Sequence, residues 1–219
     1  MAITYSAFPV QVAADAVNTS MRADGRPCAI TETGWRAGNT IVWWDPHTFY
    51  QDRASGFRHE AADIMAPAGS RVVAARAGRV LETWTYNGEV RSGKGFNAQA
   101  GHYVRIQADA ASGGGTDQYS HLLAPADVRP GERVEAGQTL GRVGESGSAR
   151  GTCPHLHLGT RDASGRAVDM SDQLRVLFDR GGWRLQPTGV TTAVAIGLGV
   201  VGVAASTAAF MWWRKGRRT

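Results

Sequence analysis

The sequence is poor in several residues on which whole function classes depend. Lysine is almost absent, with only Lys94 and Lys215 among 219 residues. There are two cysteines, Cys28 and Cys153, too few for a disulfide framework or a cysteine zinc cluster. They leave two readings open, a single Cys28–Cys153 bridge in an oxidising compartment or two small buried thiols. Excess charge is also scarce outside the tail. Arg214, Lys215, Arg217 and Arg218 supply four units of the formal net charge of +5, and the rest of the chain has 20 basic against 19 acidic side chains. No basic face remains to recruit a nucleic acid, which needs clustered Lys and Arg. Residues Met1–Pro9 show no basic region followed by an apolar run, so no conventional secretory signal peptide is expected. Between residues 57 and 160 no stretch carries a helical apolar stripe.

What is present fits short strands and tight turns. The chain has 28 glycines, and Gly and Pro punctuate brief alternating runs from Phe57 onward. Ala68–Leu81 reads as turn, strand, turn, strand. Gly101–Gln107 alternates cleanly, with Val104 and Ile106 facing away from Tyr103 and Arg105. Ser112–Gly115 is a loop tip, and Asp117–Leu123 a strand in which Tyr119 and His121 share a face. Val128–Val134 and Gly137–Gly144 are further short strands. The expected class is all-β, a compact antiparallel sandwich or barrel-like domain over residues 51–170. Residues 1–50 form an N-terminal extension packing on it; within them Ile41–Trp44 reads as a strand, and Trp35, Trp43 and Trp44 as core or groove aromatics. A short helix near Leu174–Phe178 and a linker occupy 171–188.

The C-terminal region is different in kind. From Leu185 to Trp213 there are 29 residues without a charge, enough for one membrane-spanning helix over 189–213. Trp212 and Trp213 lie where the interface would be, and the basic tail 214–219 comes directly after them. The small-xxx-small pairs Ala195/Gly199 and Gly202/Ser206 allow close packing of one such helix on another, so self-association is permitted.

Histidine carries the chemical signal. In an extended strand residues two apart point the same way, so His155 and His157 look into one site. His59 and Asp63, four apart, also converge. With His121 these make five candidates, four of the six histidines among them. A catalytic zinc takes three protein ligands of imidazole or carboxylate type and keeps a fourth position for water. Two further imidazoles remain for proton transfer and oxyanion stabilisation, the requirements of amide hydrolysis. Spacing alone does not decide whether His155 or His157 is the ligand.

Taken together, His59-x-x-x-Asp63, Gly69-x-x-Val72-x-Ala74 with Gly78-x-Val80, Tyr119-x-His121-Leu122, Val128-x-Pro130-Gly131 with Gly137-Gln138, and Pro154-His155-Leu156-His157 resemble the lysostaphin/LytM-type zinc endopeptidases of peptidoglycan. The likeness covers about Phe57 to Gly159. It implies the duplicated hybrid motif fold, Zn2+ held by His59, Asp63 and His157, catalysis by His121 and His155, and peptidoglycan peptides as substrate. No separate organic cofactor is implied. Ala61 and Cys153 stand where the family usually has Gly, and Leu158-Gly159 replaces an aromatic-acidic ending; none of these removes a ligand. Val134-x-x-Gly137-Gln138-x-Leu140 also resembles a lipoyl or biotinyl carrier hairpin. Such a carrier needs a modifiable lysine, and none lies between Lys94 and Lys215. The remaining rival is a non-catalytic scaffold of the same fold. His47 and His102 have no place in the pattern.

The expected setting is a single-pass membrane protein whose lipid partner is the C-terminal helix and whose peptidase domain faces the cell wall. A basic tail inside and an enzyme outside, without a recognised export signal, points to a bacteriophage virion-associated or lysis enzyme, with a cellular wall-remodelling enzyme as the alternative.

Overall fold

The computed structural model describes residues 2–12, 49, 58–88 and 99–184. Nine strands are found there: β1 (Val10–Gln11), β2 (Ala62–Met65), β3 (Arg71–Val73), β4 (Gly78–Trp84), β5 (His102–Ala108), β6 (Thr116–Leu122), β7 (Arg133–Val134), β8 (Thr139–Arg142) and β9 (His155–Arg161). One helix, α1 (Ser171–Asp179), comes after them. Two 3-10 turns lie at Ala110–Ser112 and Gly147–Ala149. The strands form a six-stranded sheet in the order β2-β9-β6-β5-β4-β7 and a three-stranded sheet in the order β1-β3-β8. Every strand pair is antiparallel. Isolated bridges Leu122↔Val143 and Gly144↔His155 connect the stretch after β8 to the ends of β6 and β9.

Period-two alternation decides which side chains enter the core. Along β5, Val104 and Ile106 are fully buried, and along β9 Leu156 and Leu158 are buried between half-buried His157 and Gly159. These residues meet Ile64, Val72, Val80, Tyr119, Leu122, Val134 and Leu140 in one cluster. Tyr5, Phe8, Val10 and Val12, from a stretch without a readable motif, join it, as do Leu174 and Phe178 of α1 and, just beyond that helix, Trp183. The Phe8 and Phe178 rings lie 5.7 Å apart. The core therefore draws on chain to both sides of the alternating segment.

Two expectations change. Val128–Glu132 is a turn, and only Arg133–Val134 pairs as strand. Pro130 has no N–H for a ladder and Gly131 sits at φ 85°, so the chain bends there before it can pair. Tyr119 and His121 do not share a face. Tyr119 points into the core, where its hydroxyl accepts from the Ala75 N–H at 2.8 Å, whereas His121 adopts φ 63° and turns out of the alternation.

A buried polar network crosses the core face of β6 and β9. Arg76, fully buried, donates to both carboxylate oxygens of Asp117 at 2.8 Å from Nε and Nη2. Its Nη1 donates to the Ser112 and Gly114 carbonyls at 3.2 and 2.7 Å. The Thr160 hydroxyl donates to Asp117 Oδ1 at 2.8 Å, and the Tyr5 hydroxyl contacts Thr160 Oγ1.

The chain divides into two compact units, Met1–Thr188 and Gly189–Thr219. No helix among the described residues is long and apolar enough to cross a membrane. The expected spanning segment 189–213, the Ile41–Trp44 strand, the tryptophans 35, 43 and 44, His47 and Cys28 all lie outside the described residues.

Candidate active site

Register brings the candidates together. In the β2–β9 pairing Asp63 lies opposite His157 and Met65 opposite His155, so one face carries the carboxylate and both imidazoles. His59 precedes β2 and reaches the same point. His59 Nε2 is 3.1 Å from Asp63 Oδ1, His157 Nδ1 is 2.8 Å from the same oxygen, and the two ring nitrogens are 3.2 Å apart. Tetrahedral zinc with bonds of about 2.0–2.1 Å sets its ligand atoms roughly 3.3 Å apart. The three atoms have nearly that spacing and the right chemistry, two imidazole nitrogens and one carboxylate oxygen. Among the described residues they are the group whose donor atoms converge as a metal site would require, all within 4.8 Å of one another.

Electrostatics favours the ligand form of Asp63. Burial raises its pKa, but hydrogen bonds from His157 and His59 outweigh that effect and hold the carboxyl well below its ordinary range. It stays a carboxylate and an acceptor.

His121 and His155 stand beside this group. Their ring centroids are 5.0 Å apart, and His121 lies 5.5 Å from the His157 ring. His155 Nε2 is 3.9 Å from Asp63 Oδ1. Each ring meets a backbone carbonyl through Nδ1: His121 at 2.8 Å from the Ser146 oxygen and His155 at 2.7 Å from the Cys153 oxygen. A carbonyl only accepts, so Nδ1 carries the proton in both neutral rings and the lone pair sits on Nε2. Burial, reinforced by His155 and His157 nearby, pushes His121 down to about 3, so near neutral pH it is an uncharged base.

The backbone at His121 is the exceptional feature. It is the one non-glycine residue with positive φ among those described, a conformation that costs about 1–2 kcal/mol per residue. Without that twist the alternation of β6 would send His121 inward behind Tyr119. The twist is held in place by Ser146, whose hydroxyl donates to the Leu122 carbonyl at 2.7 Å and accepts from the His102 N–H at 2.9 Å. Close approach makes this possible. A Cβ on Gly101 would come within 2.4 Å of Ser146 Oγ.

All five sequence candidates therefore meet in one site. Sequence reasoning missed the Ser146 and Cys153 carbonyls that orient two of them, because a backbone acceptor leaves no trace in residue type. His102 stays outside the cluster; burial lowers its pKa and its Nδ1 accepts from the Tyr86 N–H at 3.0 Å. Cys153 is disulfide-bonded, and no described cysteine is free.

Residues 57–170 match the model of peptidase family M23, and the chain belongs to that family, whose members are zinc peptidases. Over 99 residues it is 39% identical to the peptidoglycan DD-endopeptidase ShyC of Vibrio cholerae, covering 45% of this chain and 19% of that protein. The chain thus spans about a fifth of the length of the curated relative it matches. Among solved structures, the lytM protein of Ruminococcus gnavus superposes with a TM-score of 0.55 at 24% identity, covering 83% of this chain and 62% of that one. This likeness supports the fold. The catalytic domain of lysostaphin from Staphylococcus simulans aligns with a TM-score of 0.43 at 24% identity, over 55% of this chain and 81% of that one.

Proposed function

We propose that this chain is a zinc-dependent endopeptidase that hydrolyses peptide bonds in peptidoglycan stem peptides or cross-bridges. The observation that carries the reading is the triangle of His59 Nε2, Asp63 Oδ1 and His157 Nδ1, with sides of 3.1, 2.8 and 3.2 Å, beside two imidazoles of defined tautomer. His59, Asp63 and His157 are assigned as the zinc ligands. Bound there, zinc supplies a Lewis acid for the scissile carbonyl and lowers the pKa of water to about 7.

His121 and His155 do the proton work. Each holds its Nδ1 proton on a carbonyl, which leaves Nε2 as the basic atom turned toward the cluster. Neutral His121 accepts a proton at Nε2 during attack and, once charged, releases it to the departing amine. His155, nearer to Asp63, serves the developing oxyanion as imidazolium: its Nδ1 hydrogen stays on the Cys153 carbonyl, and a second proton on Nε2 is the donor. The Ser146 contacts hold His121 in its strained conformation and keep the base from turning back into the sheet.

From the charge-free run 185–213 and the basic tail we further propose a membrane anchor that sets the domain against the cell wall. Finding the protein in purified phage particles, or in uninfected cell envelopes, separates a virion setting from a cellular one.

The direct test is digestion of purified sacculi by zinc-loaded protein with analysis of the released muropeptides. New amine and carboxyl termini in the stem or bridge peptide are expected. Stoichiometric zinc with no peptide cleaved would make the protein a scaffold.

A further inference from the structure

The face that carries the site continues away from it as a hydrogen-bonded track. Ser120 lies opposite His157 in the β6–β9 pairing. The Gln118 amide nitrogen donates to Ser120 Oγ at 3.0 Å. On the next strand Arg105, opposite Gln118, donates from Nε and Nη2 to Gln118 Oε1 at 3.1 and 2.8 Å. On the strand beyond, Glu82 pairs with Arg105 through Nη1 at 2.9 Å. The Tyr103 hydroxyl donates to the same Glu82 oxygen at 3.2 Å. Burial and Glu82 push that phenol up to about 12, so it remains a donor.

This track fixes a cation without using it up. Guanidinium has five N–H groups. Three of those on Arg105 are spent on Gln118 and Glu82, which leaves one on each terminal nitrogen. The side chain is 33% exposed, unlike Arg76, which is sealed in the core. Two N–H groups on a planar, immobilised fork match the two oxygens of a carboxylate. Arg161 also belongs to this face but is drawn toward β2 by Glu60 at 2.9 Å, off the track.

We propose that Arg105 is an anion subsite that takes a carboxylate of the peptide substrate and sets which peptides the site accepts. The proposal rests on the peptidase reading above. Arg105 is two strands over from His157 and two residues along, roughly 12 Å from standard sheet spacings. An extended peptide covers that distance in about three to four residues, so the recognised carboxylate lies that far from the cut bond.

The experiment compares cross-linked muropeptides prepared from sacculi, before and after carbodiimide-driven amidation of their free carboxylates, as substrates of the full-length zinc-loaded protein. The wild type is expected to favour the carboxylate form about tenfold in kcat/KM, chiefly through KM, the size of one charge-assisted contact on a partly exposed cation. In Arg105→Gln that ratio falls to near one. In Glu82→Gln it rises, because the competing anion is gone. In Arg161→Gln it stays at the wild-type value. A wild-type ratio near one, or an Arg105→Gln protein of unchanged melting temperature that keeps the wild-type ratio, overturns the subsite and leaves the peptidase reading standing. Failure of the wild type to cleave either form overturns both. If Arg105→Gln does not fold, Glu82→Gln decides, and an unchanged ratio there overturns the subsite.

Discussion

Strands β6 and β9 carry a polar cluster on each face, and the two are built on opposite rules. On the core face Arg76 and Asp117 exchange two hydrogen bonds at 2.8 Å, and Ser112, Gly114 and Thr160 take up further bonding capacity. That cluster is complete: one cation, one anion, both sealed from water. On the site face His59, Asp63 and His157 bring two imidazoles against a single carboxylate oxygen. Three potential metal-donor atoms converge there, with no Lys or Arg among them. A group of this kind offers its donor atoms to a metal ion, whereas the Arg76 cluster is satisfied by partners within the protein. The same antiparallel pairing thus yields a structural network on one side and a reactive one on the other.

The strongest way to break the contrast is to remove a site ligand. Asp63→Ala or His157→Ala is expected to abolish stoichiometric zinc and cleavage together while the fold persists, measured by metal analysis and circular dichroism. Stoichiometric zinc surviving His157→Ala would sink the ligand assignment. The mirror experiment is Asp117→Ala, which leaves Arg76 charged and alone in the core. It should cost about 3–5 kcal/mol of unfolding free energy, with zinc still bound at temperatures where the variant is folded. Loss of zinc without loss of stability in Asp117→Ala would reverse the roles given to the two faces.

Substitution of His121 tests the reactive side at smaller amplitude. His121→Asn should keep zinc and lower kcat by about 10²–10⁴-fold. It should also alter acid stability. Folded His121 resists protonation down to about 3, against 6.5 for an ordinary imidazole. Protons therefore favour the unfolded chain, so this contribution is full above 6.5 and is lost as pH falls. From pH 7.5 to 5.5 the wild type should lose on the order of 1 kcal/mol more than His121→Asn in denaturant titrations. Equal losses would mean that the ring is not held neutral by burial.

Much of the site was legible because its residues obey short-range geometry. His155 and His157 lie on one strand face by period two, and Asp63 meets them across one register. The core of β5 and β9 was legible for the same reason. Tyr119 and His121 were misplaced because period two assumes extended backbone, and a single left-handed residue breaks the alternation at its own position. The contribution of Tyr5, Phe8, Val10 and Val12 to the core was illegible, since β1 is two residues long and its partner lies some sixty positions away.

By itself the sequence determined the kind of chemistry: imidazoles and a carboxylate in metal-ligand spacing, within a β-rich frame short of lysine and helical stripes. Side-chain type and local period are enough for that. Only the tertiary structure decided how each group is used. The Ser146 and Cys153 carbonyls choose the tautomers, the twist at His121 chooses its face, and the register of β4, β5 and β6 lays Arg105 on the same surface as the site. These are relations between strands distant in sequence, and pairing energies summed over the whole sheet settle them.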